Sequence, residues 1–186
     1  MSSVKKILTP LTDEVVRNLH AGDAVTITGT IYTARDLAHQ RLVEALRRGE
    51  PLPFPIAGAI IYYVGPSPAK PGRPIGSCGP TTSYRMDAYT PELLAAGLKG
   101  TIGKGNRGPA VIAALKQFGG VYFAAVGGAA ALLAQRVRSA KVIAYDELGP
   151  EALQELQVEE LPVIVVNDCY GADLYQEGVS RYKKED

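Results

Sequence analysis

The chain has 186 residues, 20 Lys+Arg against 19 Asp+Glu, and a formal net charge of +1. Non-specific nucleic-acid binding draws on a surplus of cations that displaces condensed counterions, and this chain has none. With 46% hydrophobic and 21% charged residues it has the composition of an ordinary globule, not of a disordered segment, and its length fits one domain spanning residues 1–186.

The first predicted element is a short helix over Leu11–His20, with Thr12 as N-cap, Asp13 and Glu14 in its first turn and Gly22 beyond its end. Val25–Ile31 alternates β-branched residues and reads as a strand. A helix follows over Ala34–Arg48, capped by Thr33, with Asp36 in a capping-box position and Gly49 after its end. Ala34, Leu37, Ala38, Leu42, Ala45 and Leu46 share its apolar face, and Arg35 and His39 lie together at the edge of that face. Ala59–Val64 shows little alternation and is expected to be a strand buried on both sides. Gly65–Pro80 holds five prolines and four glycines, which enforces irregular backbone over a length that is usually functional.

Thr90, Pro91 and Glu92 start a helix that ends near Gly97. Beyond it the pattern predicts a strand at 101–103, a helix at 109–118, a strand at 121–126, a helix at 129–137, a strand at 141–145, a helix at 150–156 and a strand at 161–166. This alternation predicts an α/β layered domain, and the strand-rich first half makes its sheet mixed. The terminal RYKKED reads as a solvated end.

The longest apolar run, Val121–Ala134, is broken by Gly127-Gly128 and is shorter than the ~18 residues a bilayer span requires, so no membrane segment is expected. The glycine pair suits either an anion at a helix start or tight strand–helix packing. The N-terminus lacks the apolar core of a signal peptide. Cys78 and Cys169 stand in no zinc-like or disulfide-framework spacing, and a reducing cytoplasm fits them as plain thiols. No metal ligand and no cofactor-binding residue is assigned to this chain.

Cations stand at three loop-to-helix junctions, where the positive end of the helix dipole disfavours them unless an anion is bound. They are Arg35, the pair Lys104 and Arg107 before Pro109, and Arg85 after a Gly-Pro-Thr-Thr turn. GKGNRG formally matches GxGxxG, but no acid lies between Glu92 and Asp146 to hold a ribose hydroxyl. A Walker A loop is excluded because Lys104 is followed by Gly105. There are only two histidines and no GxSxG, so a hydrolase triad has no support. His39 is either within reach of the Arg35 site or an exposed helix histidine. Asp36 reads as a cap and Asp87 as a turn residue or arginine partner. Arg35, Thr81, Thr82, Arg85 and Lys104 remain as a set that suits a small dicarboxylate but lacks an electrophile and a strong general acid.

Three strings carry a resemblance: TGTIYTARDLAH (Thr28–His39), SCGPTTSYRMD (Ser77–Asp87) and GTIGKGN (Gly100–Asn106). They resemble the β subunit of two-subunit class I fumarate hydratases, over about residues 5 to 176. The same domain forms the C-terminal part of the single-chain enzymes and the β subunit of L(+)-tartrate dehydratase. The resemblance implies a swivelling β/β/α domain that works with an α subunit holding a [4Fe–4S] cluster, whose unligated iron is the Lewis acid. It implies reversible hydration of fumarate to L-malate, with tartrate as the alternative substrate. By motif position it makes Arg35, Arg85 and Lys104 contacts to the substrate carboxylates. Thr81 becomes a substrate contact placed at the carbon-bound proton, where a bare hydroxyl needs neighbouring cations or a relay to act. His39 receives no chemistry. The chain alone is expected to be inactive, and self-association is expected. A non-catalytic anion-binding subunit and, on GKGNRG alone, a nucleotide-binding domain are the other readings.

Overall fold

In the computed structural model, which describes residues 4–125 and 130–183, seven strands form one mixed sheet. The elements in chain order are β1 (Lys5–Leu8), α1 (Asp13–Arg17), β2 (Ala24–Thr33), α2 (Asp36–Arg47), β3 (Ile60–Tyr62), α3 (Thr90–Ala95), β4 (Gly100–Gly103), α4 (Pro109–Phe118), β5 (Val121–Ala124), α5 (Ala130–Ala134), β6 (Val137–Ala144), β7 (Leu153–Asn167) and α6 (Leu174–Tyr182). Short 3-10 turns lie at Ser83–Met86 and Asp146–Glu151.

β1 to β5 run parallel as consecutive neighbours. β7 then runs antiparallel to both β5 and β2, so β2, β3, β4, β5 and β7 close into a five-stranded, barrel-like ring. The 15 residues of β7 serve three neighbours, β2 along most of their length, β6 near their start and β5 near their end. Closure divides the core in two. Ile60, Tyr62 and Val64 point into one cluster with Ile27, Ile31, Ile102, Phe123 and Leu156. Ile61 and Tyr63 point into the other, with Leu42 of α2, Leu93 of α3 and Leu115 of α4. Strand β3 is therefore buried on both faces, as its unbroken apolar run predicts, and each such side chain contributes roughly 1.5–3 kcal/mol.

Several elements differ from expectation. The predicted helix at 150–156 is absent: Gly149 takes a backbone conformation outside the helical region, and Leu153 onward is strand. Gln154 and Glu155 favour helix, but pairing with β2 and β6 on either side overrides that preference. β6 begins at Val137, leaving α5 as a single short helix among the described residues; Gly127-Gly128 lies outside them. β1 and α6 were not anticipated. α6 is capped by Asp173, whose carboxylate accepts from the Tyr175 and Gln176 amides, and it takes in the first residues of the charged tail.

The helix after β2 starts two residues later than predicted. Thr33 ends β2 instead of capping α2, and its hydroxyl accepts from the Gln154 amide at 3.1 Å. Arg35 occupies the cap position in extended conformation, and Asp36 is the first helical residue. The buried face of α2 is accordingly Ala38, His39, Leu42, Val43 and Ala45, and Leu37 swings out to 49% exposure. In the same way Tyr89, not Thr90, takes the cap position of α3.

Candidate functional site

The carboxyl ends of β2, β3 and β4 lie side by side, and the residues that follow them form the site. Crevices at the carboxyl ends of parallel strands are where α/β sheets receive ligands. Arg35 follows β2, Gly65 lies just past β3, and Lys104 follows β4.

Two of the expected arginines converge on one carboxylate. Arg85 Nε donates to Asp36 Oδ1 at 3.0 Å, and Arg35 Nε lies 4.0 Å from Asp36 Oδ2. Arg35 Nη2 is 3.3 Å from Glu151 of the 3-10 turn before β7. Asp36 is thus the hub of an ion network and not the helix cap the sequence suggests: it is the first helical residue of α2, and its carboxylate faces the arginines. The Ser83–Met86 turn aims Arg85: Met86 is fully buried as its anchor, while Tyr84 stands 66% exposed beside it. Arg35 and Arg85 together face the carboxylates of Asp36 and Glu151. The planar guanidiniums suit bidentate capture of a carboxylate.

Thr81 and Lys104 meet through the backbone. The Thr81 amide donates to the Tyr63 carbonyl at 2.7 Å, and the Lys104 amide donates to the Thr81 carbonyl at 3.3 Å. The Ser83 amide returns to the Lys104 carbonyl at 2.9 Å, so Thr82 and Lys104 form an isolated parallel bridge. Thr81 is half-buried, Lys104 is exposed, and neither side chain has a hydrogen-bond partner among the described residues. Gly103 has no room for a side chain, because a Cβ there would overlap the Ser83 hydroxyl.

Arg107 drops out of the exposed cationic set. Its side chain is fully buried and donates to Asp87 at 2.8 Å, Thr90 at 2.7 Å, the Tyr63 hydroxyl at 3.1 Å and Thr101 at 3.3 Å. It also stacks over the rings of Tyr63 and Tyr122. Asp87 is the arginine partner that was one of its two readings, and its other oxygen accepts from the Gly108 amide at the start of α4. The Tyr122 hydroxyl donates to the Gly105 carbonyl at 2.8 Å, so this buried network underpins the GKGN loop.

His39 is not an exposed helix histidine. It is fully buried, and burial pulls its pKa down to about 4. Cys78 is also buried, which pushes its thiol up to about 12. Among the described residues no group of three or more His, Cys, Asp and Glu side chains could hold a metal ion.

Two contributors had no visible sequence signal. Glu151 is 116 positions from Arg35, within a segment that reads as helix. Gly65 makes the space for Arg35, since a Cβ there would stand 2.8 Å from Nη1, 3.1 Å from Cδ and 3.3 Å from the Pro150 carbonyl oxygen. Gly65→Ala is expected to leave the unfolding free energy within about 1 kcal/mol of the parent, because most of the clash falls on a flexible side chain. It is expected to weaken dicarboxylate binding by about 10-fold through displacement of Arg35. Unchanged affinity by calorimetry or by KM would show that Arg35 does not need this space.

A closed mixed sheet that gathers arginines, a lysine and a threonine beyond the carboxyl ends of its parallel strands defines an α/β domain with a cluster of charged and hydroxyl side chains at one end. The model for the Fumarase C-terminus family matches residues 2–178, and the chain belongs to this family. The class I aerobic fumarate hydratase of Escherichia coli strain K12 is 41% identical over 155 residues, 82% of this chain and 28% of that protein. Fumarate hydratase 2 of Leishmania major is 39% identical over 179 residues, 94% of this chain and 32% of that protein. A Methanocaldococcus jannaschii protein provisionally named L(+)-tartrate dehydratase subunit beta is 40% identical over 173 residues, covering 90% of this chain and 89% of that one. The chain therefore spans less than a third of the two fumarate hydratases but nearly the whole of the β-subunit relative. All three names are those of hydro-lyases, and the resemblance drawn from the three motifs is borne out.

Proposed function

We propose that this chain is the β subunit of a two-subunit iron–sulfur hydro-lyase that reversibly hydrates fumarate to L-malate, and that it supplies the clamp for the substrate carboxylates. The carrying observation is the convergence of Arg35 and Arg85 on Asp36, at strand ends that also present Thr81 and Lys104. Arg35, Arg85 and Lys104 hold the two carboxylates. Thr81 faces the carbon-bound proton, where its hydroxyl needs a neighbouring cation or a proton relay to act as a base.

The donors of this chain do not fit a [4Fe–4S] cluster. The sequence has two cysteines, whereas such clusters are held by thiolates in threes and fours, and Cys78 is buried as a neutral thiol. The cluster in this proposal belongs to an α subunit. The clamp is open on the side where Arg85 is 44% exposed and Tyr84 projects, which suits a partner that covers the substrate. Among the described residues no helix is long and apolar enough to cross a membrane. We place the complex in a reducing cytoplasm and expect it to contain more than one copy of this chain.

The test is co-expression with an α subunit. The purified chain alone is expected to be colourless and inactive, and the complex to be brown, oxygen-sensitive and able to interconvert L-malate and fumarate. L(+)-tartrate is assayed beside them, because the relative covered almost end to end carries that name and tartrate also presents two carboxylates. Turnover of tartrate alone would reassign the substrate. Hydration of fumarate by the iron-free chain would overturn the two-subunit proposal, and a complex that binds dicarboxylates without converting them would make the chain a non-catalytic anion-binding subunit.

A further inference from the structure

His39 lies one helical turn after Arg35, and both of its donors meet the same oxygen. Its backbone N–H donates to the Arg35 carbonyl at 2.9 Å, and its Nδ1 lies 2.8 Å from that atom. A carbonyl oxygen only accepts, so Nδ1 carries the proton and Nε2 is the bare nitrogen of a neutral ring. Nε2 is buried with no hydrogen-bond partner among the described residues. Leaving such an atom unpaired is unfavourable, and an apolar side chain of similar shape would fill the space without that loss. Packing alone therefore does not account for an imidazole here.

The ring has a second contact. It meets Tyr63 edge-on, with centroids 5.2 Å apart and planes at 71°, and the Tyr63 carbonyl is the acceptor that anchors the Thr81 amide. One buried ring thus bridges the peptide that launches Arg35 and the strand end that holds Thr81. Arg35 sits at the cap of α2 in extended conformation, its carbonyl accepts the first helical hydrogen bond from the His39 amide, and its side chain makes no capping hydrogen bond.

We propose that His39 is a positioning residue of the clamp: its Nδ1–H pins the Arg35 peptide, and its ring sets that peptide against the Thr81 anchor. It touches no substrate and moves no proton. This inference rests on the reading of Arg35 as a carboxylate contact.

Three variants separate the hydrogen bond from bulk. Asparagine places an amide nitrogen near the position of Nδ1, glutamine places it near Nε2, and leucine offers neither. In the reconstituted complex, His39→Gln and His39→Leu are expected to raise KM for fumarate and L-malate about 10-fold with kcat within about 2-fold, while His39→Asn stays within about 3-fold of the parent KM. If the leucine variant does not fold, the asparagine and glutamine pair carries the comparison. KM unchanged in all variants, or asparagine as impaired as glutamine, overturns the role of His39. A second readout needs no turnover: in the isolated, isotopically labelled chain, the Arg35 carbonyl carbon, the Asp36 amide nitrogen and the Arg35 Nε–H resonances are followed by NMR. They are expected to shift in His39→Gln and return toward the parent in His39→Asn, and no shift overturns the proposal. If the parent complex converts no dicarboxylate, the substrate reading fails while these resonances still decide the role of His39.

Discussion

Arg85→Ala is expected to lower kcat/KM of the assembled complex by about 100-fold or more, with the fold intact. A charge-assisted, bidentate contact to a substrate carboxylate is worth several kcal/mol when it is aligned in the transition state. The structural cost is small, because Arg85 is 44% exposed and its ion pair with Asp36 is the kind of partly solvated pair worth about 0–1 kcal/mol. Lysine is not an adequate substitute, since it lacks the planar fork. Steady-state kinetics on the co-expressed complex and an unfolding curve on the chain separate the two effects. Activity within about 3-fold of the parent would remove Arg85 from the clamp.

Arg107→Leu is expected to do the reverse, with its main effect on stability. Its buried guanidinium donates to Asp87, Thr90, Thr101 and the Tyr63 hydroxyl, so removal strands several polar groups that have lost contact with water. Breaking one side of a buried charge pair typically costs about 3–5 kcal/mol. With a urea slope of about 2 kcal/mol per molar, the midpoint is expected to fall by roughly 1.5–2.5 M. A fall below about 0.5 M would mean that Asp87 is satisfied by the Gly108 amide alone. Any activity lost should be recovered less by raising substrate concentration than in the Gly65→Ala variant, because Arg107 supports the loops of both Thr81 and Lys104.

The motif residues were legible because their spacing is local: GPTTSYRMD and GKGN each form one continuous piece of the site. β3 was legible for the opposite reason, since an unbroken apolar run has only one environment that satisfies it, burial on both faces. β7 was not, because Gln154 and Glu155 prefer helix and the strand is imposed by pairing on both sides, with β6 and with β2 more than a hundred residues earlier. His39 reads as an edge residue only while Ala34 and Leu37 count in the apolar face; Ala34 precedes α2 and Leu37 is exposed, so the buried face runs through Ala38, His39 and Leu42. Arg107 was grouped with the exposed cations because sequence shows charge but not the aromatic rings and carboxylate gathered around it.

Asp36 holds the two arginines of the proposed clamp together. Two guanidiniums aimed at one place repel each other, yet here they share an acidic residue belonging to the protein. Asp36 is hydrogen-bonded to Arg85 and within ion-pair distance of Arg35. In the proposed function, a dicarboxylate either adds to this lattice of charge or exchanges with the protein's own carboxylate. The acidic side chain would in this sense be a template for the ligand, set in place when the chain folds.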